Sequence, residues 1–238
     1  MKTLYDEPHV NAIFDQESRK FKAKKILAAL NSFVEYSAKS RILDVGSGSG
    51  YIANELASSF EFVASIDVTD MRREHTGYEF KLFNGGVFPY PDESFDVVVS
   101  NHVIEHVVDQ QLHMDEIYRV LRPGGLCYLA TPNKLWLTDP HYRLPFLPWL
   151  PRRMSTSYVR LVRHMVWDIY PLSPRAVGRI AGSRFQIHNV ANDMVKNPDT
   201  YHFQTISRLQ RFVSHMPSHL VNTISDFAPT LVCVLKKR

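Results

Sequence analysis

An α/β fold is predicted by three features of the chain. Residues 42–50, Ile-Leu-Asp-Val-Gly-Ser-Gly-Ser-Gly, form a short apolar run that closes on an acid and then alternates glycine with serine, the pattern of a strand entering a nucleotide-binding turn. Downstream, short apolar runs alternate with segments of helical periodicity as far as residue 131. The length of 238 residues, 45% of them hydrophobic, suffices for one α/β domain with a substantial core plus insertions.

At 11–33 the apolar residues Ile13, Phe14, Phe21, Ile26, Leu27, Leu30 and Phe33 recur at roughly helical spacing. They predict one or two helices that make residues 1–40 a cap over the cleft, with the lysines at 20–25 read as a solvated face. In the turn that follows, Gly46, Gly48 and Gly50 let the backbone take positive φ and approach a ligand with no Cβ in the way. Residues 51–58 read as a helix whose first amides face that ligand. A dinucleotide fingerprint, Gly-x-Gly-x-x-Gly, would need glycine where Tyr51 stands, so the spacing speaks against hydride-transfer chemistry.

Residues 60–67 predict a second strand ending in Asp67, about 20 residues past the glycines, where an acid accepts ribose hydroxyls. A helix cap is the alternative use for such an acid. Residues 78–83 predict a third strand, leading to Asn84-Gly85-Gly86, and 95–100 a buried fourth. The fourth runs into Asn101-His-Val-Ile-Glu-His-Val107, where His102, Glu105 and His106 share one face if the segment is helical throughout. The same string is the His-x-x-Glu-His of inverzincin metalloproteases. A zinc site of that kind needs a helix and a further downstream ligand, whereas this string directly follows a strand.

A helix over 112–121 stops at Arg122-Pro123-Gly124-Gly125, a tight turn into a strand at 126–131. Residues 134–151, with Pro140, Pro145, Pro148 and Pro151 among aromatic residues, read as a stiff loop. Then Arg152, Arg153, Arg160, Arg163 and His164 punctuate an apolar segment able to be helical. Ser173-Pro174 opens a helix over 174–181, 185–190 reads as a sixth strand, 193–226 as a mixed, helical insertion, and 229–235 as a last strand.

These residues carry a resemblance. The nonapeptide 42–50 resembles motif I of the class I S-adenosylmethionine-dependent methyltransferases, apolar-apolar-Asp-apolar-Gly-x-Gly-x-Gly. Val103-Ile-Glu-His-Val107 is similar to a Val-Leu-Glu-His-Val string of many members, the ubiquinone and menaquinone biosynthesis branch among them. Leu121-Arg-Pro-Gly-Gly125 before a strand closing on Thr131-Pro-Asn133 resembles another of their features. The likeness spans about residues 40–133 and implies a Rossmann-like sheet of seven mostly parallel strands, helices on both faces and an antiparallel last strand. Residues 134–170 and 193–226 become insertions forming the substrate lid of one methyltransferase domain spanning 1–238.

The resemblance implies S-adenosyl-L-methionine as cofactor and S-adenosyl-L-homocysteine as product. Gly46, Ser47, Gly48 and Gly50 would pass close to the methionine moiety, and Asp44 would fix the turn and the amino-acid end. Asp67 would hold the ribose, Val68 would be a further cofactor contact, and Asn101 with His102 would line the methionine side near the sulfur. Asn84, Gly85 and Gly86 would meet the adenine, although the acid commonly found there is absent. In quinone-biosynthesis O-methyltransferases, side chains at the positions of His102, Glu105 and His106 assist catalysis with a divalent metal. Here His102 replaces an acid, and no metal ligand is assigned.

Methyl transfer from a sulfonium expels a neutral thioether, so alignment matters more than acid catalysis. A hydroxyl acceptor needs a base near neutral pKa, for which His106 is the first candidate and His141 the second. Tyr142 and Arg143 are candidate acceptor contacts. The expected reaction is O-methylation of a small natural product, sugar or lipid-linked substrate. RNA or protein methylation and a non-catalytic cofactor-binding module are the alternatives. Nucleic acid is not the expected partner, since the chain lacks the Asn/Asp-Pro-Pro-Tyr/Phe motif of base-amino methylases and its aromatic lid suits an enclosed ligand.

Residues 1–150 hold 15 Lys and Arg against 20 Asp and Glu, whereas 151–238 hold 13 against 4. Such asymmetry points the second half toward something anionic: a phosphorylated or lipid-linked acceptor, or a peripheral membrane contact through 146–167. A solvated basic surface is the alternative. Cys127 and Cys233 both sit in apolar runs that suit reduced thiols, and neither a signal-peptide core nor a bilayer-spanning run is present. A cytoplasmic location is expected.

Overall fold

The computed structural model describes residues 15–33, 36–201, 216, 221 and 225–238. The part of the expected N-terminal helices before residue 15 lies outside the described residues, as does most of the 193–226 insertion with Phe203, Ile206, Leu209 and Phe212.

Among the described residues one sheet contains β1 (Arg41–Val45), β2 (Phe62–Asp67), β3 (Glu79–Leu82), β4 (Phe95–Asn101), β5 (Leu121–Pro132), β6 (Phe185–Asn189) and β7 (Thr230–Lys237). The strands lie in the order β3-β2-β1-β4-β5-β7-β6. Neighbours pair in parallel, except that β7 runs antiparallel to both β5 and β6. The described helices are α1 (Gln16–Asn31), α2 (Tyr51–Ala57), α3 (Gln110–Val120), α4 (Arg152–Arg163), α5 (Pro174–Ala181) and α6 (Ala191–Lys196). None is long and apolar enough to cross a membrane.

Period-two alternation divides the strand residues between two buried layers. Ile42, Val97 and Val99 pack with Ile26 and Leu30 of α1 and Leu56 of α2. Leu43, Val45 and Val98 point the other way, onto Met114 and Ile117 of α3 and Val177 of α5. Strands covered on both faces have no polar side to keep, which is why β1 and β4 read as nearly continuous apolar runs. The sequence also marks the start of α5: Ser173 accepts a hydrogen bond from Ala176 N at 3.3 Å while Pro174 takes the first helical position.

Two departures from the sequence reading concern β5 and the segment after it. The turn at Arg122–Gly125 interrupts a strand that has already begun, because Leu121 pairs with Phe95 before the ladder resumes at Leu126 and Val97. Residues 134–172 then form an insertion with a core of its own, built from Leu144, Leu147, Val159, Trp167 and Ile169. A bridge between Asn133 and Leu172 pins its two ends side by side, and Lys134 N donates to Leu172 O at 2.9 Å.

At the carboxyl end of β1 the chain turns through Gly46 (φ +82°) and Gly50 (φ +81°), which caps α2. A Cβ on Gly50 would collide with the Glu74 carbonyl and the Tyr78 hydroxyl. Left-handed backbone alone costs a side chain about 1–2 kcal/mol. Gly50→Ala is therefore expected to destabilise the fold by about 2 kcal/mol or more, read as a lower urea midpoint with an unchanged slope.

Candidate functional site

The strand order reverses direction between β1 and β4, and in such sheets ligands settle outside the carboxyl ends of the strands at that point. The glycine turn is shaped there by β2. Gly46 N and Ser47 N both donate to Ile66 O, at 2.8 and 3.2 Å, and Gly48 N donates to Asp67 Oδ2 at 2.9 Å. Asp67 Oδ1 accepts from Val68 N at 2.7 Å and Thr69 N at 3.3 Å. Asp67 thus organises the turn through both of its carboxylate oxygens. Gly85 lies close to Val68, since a Cβ on it would stand 3.4 Å from Val68 Cγ1. The Asn84 side chain is partly engaged, accepting from Gly86 N at 3.0 Å.

Asp44 is buried at the root of the turn and accepts from Ser65 Oγ at 3.1 Å. Burial pushes its carboxyl up to about 7, against the pull of the Ser65 hydrogen bond and the Arg19 charge. Arg19 belongs to α1, as does Lys22, whose ammonium is brought down to about 8 by burial first and then by Arg19 and Lys25, with Glu105 opposing. These cations stand at i−4 from Ala23 and Ile26, both buried, so they share the inward side of the helix. The reading of 20–25 as a solvated face fails at Lys22 for that reason.

At the end of β4, Asn101 Oδ1 is buried with no hydrogen-bond partner among the described residues. His102 follows with φ +58°, and only Ile104–His106 form a single 3-10 turn. His102, Glu105 and His106 therefore do not share a continuous helical face, because a left-handed residue cannot belong to a right-handed helix. They still meet. His102 Nδ1 lies 3.2 Å from Glu105 Oε1, and Thr131 Oγ1 donates to Glu105 Oε2 at 3.0 Å. Burial raises the Glu105 carboxyl, but the hydrogen bond from His102 and the charges of His102 and His106 outweigh it and hold the group below the ordinary carboxylate range.

The insertion contributes His141. Its Nε2 stands 4.0 Å from Glu105 Oε1, and its ring meets His106 edge to face at 5.5 Å. Asp139 fixes the loop here, accepting from His141 N and Tyr142 N at 2.9 and 2.7 Å through Oδ1. Its Oδ2 is buried with no hydrogen bond among the described residues, and burial pushes the carboxyl up to about 6. Ligand atoms of Glu105, His106 and His141 lie within 4.8 Å of one another, a set able to hold a cation that the sequence reading did not assign.

Tyr142 does not join this cluster. It is buried in the insertion's core against Trp167, with its hydroxyl directed at Val166 O and Asp168 Oδ1, at 2.5 and 2.8 Å. Its ring, a candidate acceptor contact in the sequence, packs inside the insertion. Arg143 is exposed beside it, with φ +53°.

Residues 43–129, from β1 through β5, match the methyltransferase domain family. Over that span the chain is similar to a methyltransferase domain. A probable S-adenosylmethionine-dependent methyltransferase of Mycolicibacterium smegmatis is 34% identical over 121 residues, 49% of this chain and 47% of that protein. A ubiquinone biosynthesis O-methyltransferase of Rhizobium etli is 28% identical over 135 residues, 52% of this chain and 54% of that protein. The chain spans about half the length of the curated relatives it matches.

Two solved structures share the fold. The S-adenosylmethionine-dependent methyltransferase of Mesorhizobium loti superposes with a TM-score of 0.57 at 16% identity, covering 88% of this chain and 96% of that one. The phosphoethanolamine N-methyltransferase 2 of Haemonchus contortus, solved with S-adenosylhomocysteine, gives 0.53 at 18% identity, covering 90% and 52%. The residues at the carboxyl ends of β1 and β4 fit an adenosyl donor: three of the five positions of the turn at 46–50 are glycine, and Asn101 keeps a buried acceptor unspent.

Asp44 gives the domain a pH signature. Its carboxyl titrates near 7 when folded and near its ordinary 3.8 when unfolded, so the folded state retains a proton that the unfolded state releases. Stability is then lost as pH rises from about 4 to about 7. Asp44→Asn is expected to remove that loss, its advantage over the wild type growing to about 2–4 kcal/mol by pH 7 in urea titrations.

Proposed function

We propose that the chain transfers a methyl group from S-adenosyl-L-methionine to a hydroxyl of a small-molecule acceptor, one that is lipid-linked or anionic. The observation that carries this reading is the sealed Glu105 carboxylate with His102, His106 and His141 around it, at the carboxyl end of β4 and beside the glycine turn. The family match and the O-methyltransferase relative support the reaction class. When bound, the donor supplies an electrophilic methyl carbon and departs as a neutral thioether.

Division of labour follows from exposure. Glu105 is fully buried and cannot reach an acceptor, whereas His106 is exposed at the mouth of the cluster. His106 takes the proton of the acceptor hydroxyl, and the nearby carboxylate favours the imidazolium so formed. Glu105 is thus a positioning residue. It also fixes the histidines' surroundings by accepting from Thr131 of β5, so that the proton acceptor is held against the sheet and not on a free loop. Lys22 and Arg19 of α1 add positive charge on the cleft side, which suits an acceptor bearing phosphate or carboxylate.

His106→Ala is expected to lower turnover by about 10²–10⁴-fold while calorimetric affinity for S-adenosylmethionine stays within a factor of two or so. Collapse of donor binding in that variant would make His106 structural. Glu105→Gln should lower turnover while donor affinity by calorimetry is kept, since the carboxylate that meets His102 and accepts from Thr131 is lost. Dialysis against a chelator should leave turnover unchanged. Loss of turnover restored by magnesium or zinc would instead place an ion among Glu105, His106 and His141.

A further inference from the structure

The outer surface of the 134–172 insertion carries large apolar side chains that nothing among the described residues covers. Phe146 and Trp149 are 52% and 53% exposed, and their rings meet edge to face at 5.6 Å. Phe146 N donates to Leu137 O at 2.6 Å, which sets the exposed Trp136 and Leu137 alongside them. On α4, Met154 and Leu161 are 56% and 78% exposed and stand seven residues apart, hence on one side of the helix, two turns from each other.

Charge accompanies this apolar surface. Residues 143–167 hold five arginines and no Asp or Glu. Two of the five are used by the fold. Arg152 donates to Trp167 O and Ile169 O and stacks on Tyr170, and Arg163 donates to Tyr142 O. Arg153 and Arg160, again seven apart, are exposed, and no ion pair joins them to an acid among the described residues. Backbone geometry adds a further mark. Phe146 sits at φ +59°, where glycine or asparagine is at ease and an exposed phenylalanine is not.

We propose that this face docks the chain on a bilayer rich in anionic lipid. Phe146 and Trp149 enter the headgroup layer, Met154 and Leu161 lie along it, and Arg153 and Arg160 meet lipid phosphates. Anionic lipid is favoured over a protein partner by charge: a stretch of arginines with no acid has no means of pairing selectively with a mixed-charge surface, whereas a sheet of phosphates satisfies all of it at once. The insertion that carries this face also supplies His141 to the Glu105 cluster, so docking would tie the acceptor site to the membrane through one structural unit. That last consequence rests on the methyltransferase reading; the docking itself does not.

The test is flotation of the full chain with phosphatidylcholine vesicles made with and without phosphatidylglycerol. Flotation is expected with the anionic vesicles alone, weakened by salt, with tryptophan emission quenched by brominated acyl chains. Arg153→Ala with Arg160→Ala should lower partitioning by about 10–30-fold. Phe146→Asn with Trp149→Asn should lower it at least as far without lowering the thermal midpoint, because asparagine tolerates the left-handed backbone. Absence of flotation by the wild type at low ionic strength would overturn the proposal, as would equal flotation by either double variant. A wild-type dimer dissolved by the Phe146 and Trp149 changes, without flotation, would assign the face to a second copy instead. Donor calorimetry on the same preparations separates the claims: heat without flotation removes the docking alone, and flotation without heat removes the transferase reading alone.

Discussion

A carboxylate sealed from solvent must be matched by donors or give up its charge, and Glu105 is such a group. The donors that keep it ionised come from different parts of the chain: His102 from its own segment after β4, and Thr131 from β5. His141 reaches toward the same oxygen from the insertion. Its backbone serves too, since Tyr170 N donates to Glu105 O at 2.7 Å and Gln110 of α3 spans Ile104 O and Tyr170 O. One buried negative charge thus gathers the central strand, its neighbour and the insertion at a single point.

Two consequences follow for the chemistry. Fixed donors around Glu105 mean that the imidazoles beside it face a standing negative charge in a setting where water screens little. The cost is a segment that abandons regular structure, with His102 forced left-handed so that the chain can double back over the end of β4. Strain of that kind persists only where surrounding contacts over-determine it, and here they do, with His102 N held to Ala130 O at 2.8 Å.

Much of the sheet was legible because its signals are local. The nearly continuous apolar runs of β1 and β4, the serine and proline that start α5, and the glycines after β1 each state a local requirement that neighbours in sequence satisfy. What escaped depends on distant partners. Whether Tyr142 lines a cleft or fills a core is decided by Val166 and Asp168, more than twenty residues away. Lys22 looks like any lysine on a polar helix until Ala23 and Ile26 are seen to be buried beside it, which fixes the side it shares. Asp139 gave only a weak sign, its place two residues before His141, where an acid can accept the amides of a turn.

The insertion leaves β5 at Asn133 and returns at Leu172, and these two residues are bridged. Asn133 is itself anchored independently of what lies between, its side-chain amide donating to Asp226 O and Ala228 O at 2.8 Å each. A segment whose ends are neighbours and separately fastened can be exchanged for one of another length without altering the sheet's register. The sheet is in that sense a socket, and the cassette plugged into it can change while the turn after β1 stays as it was.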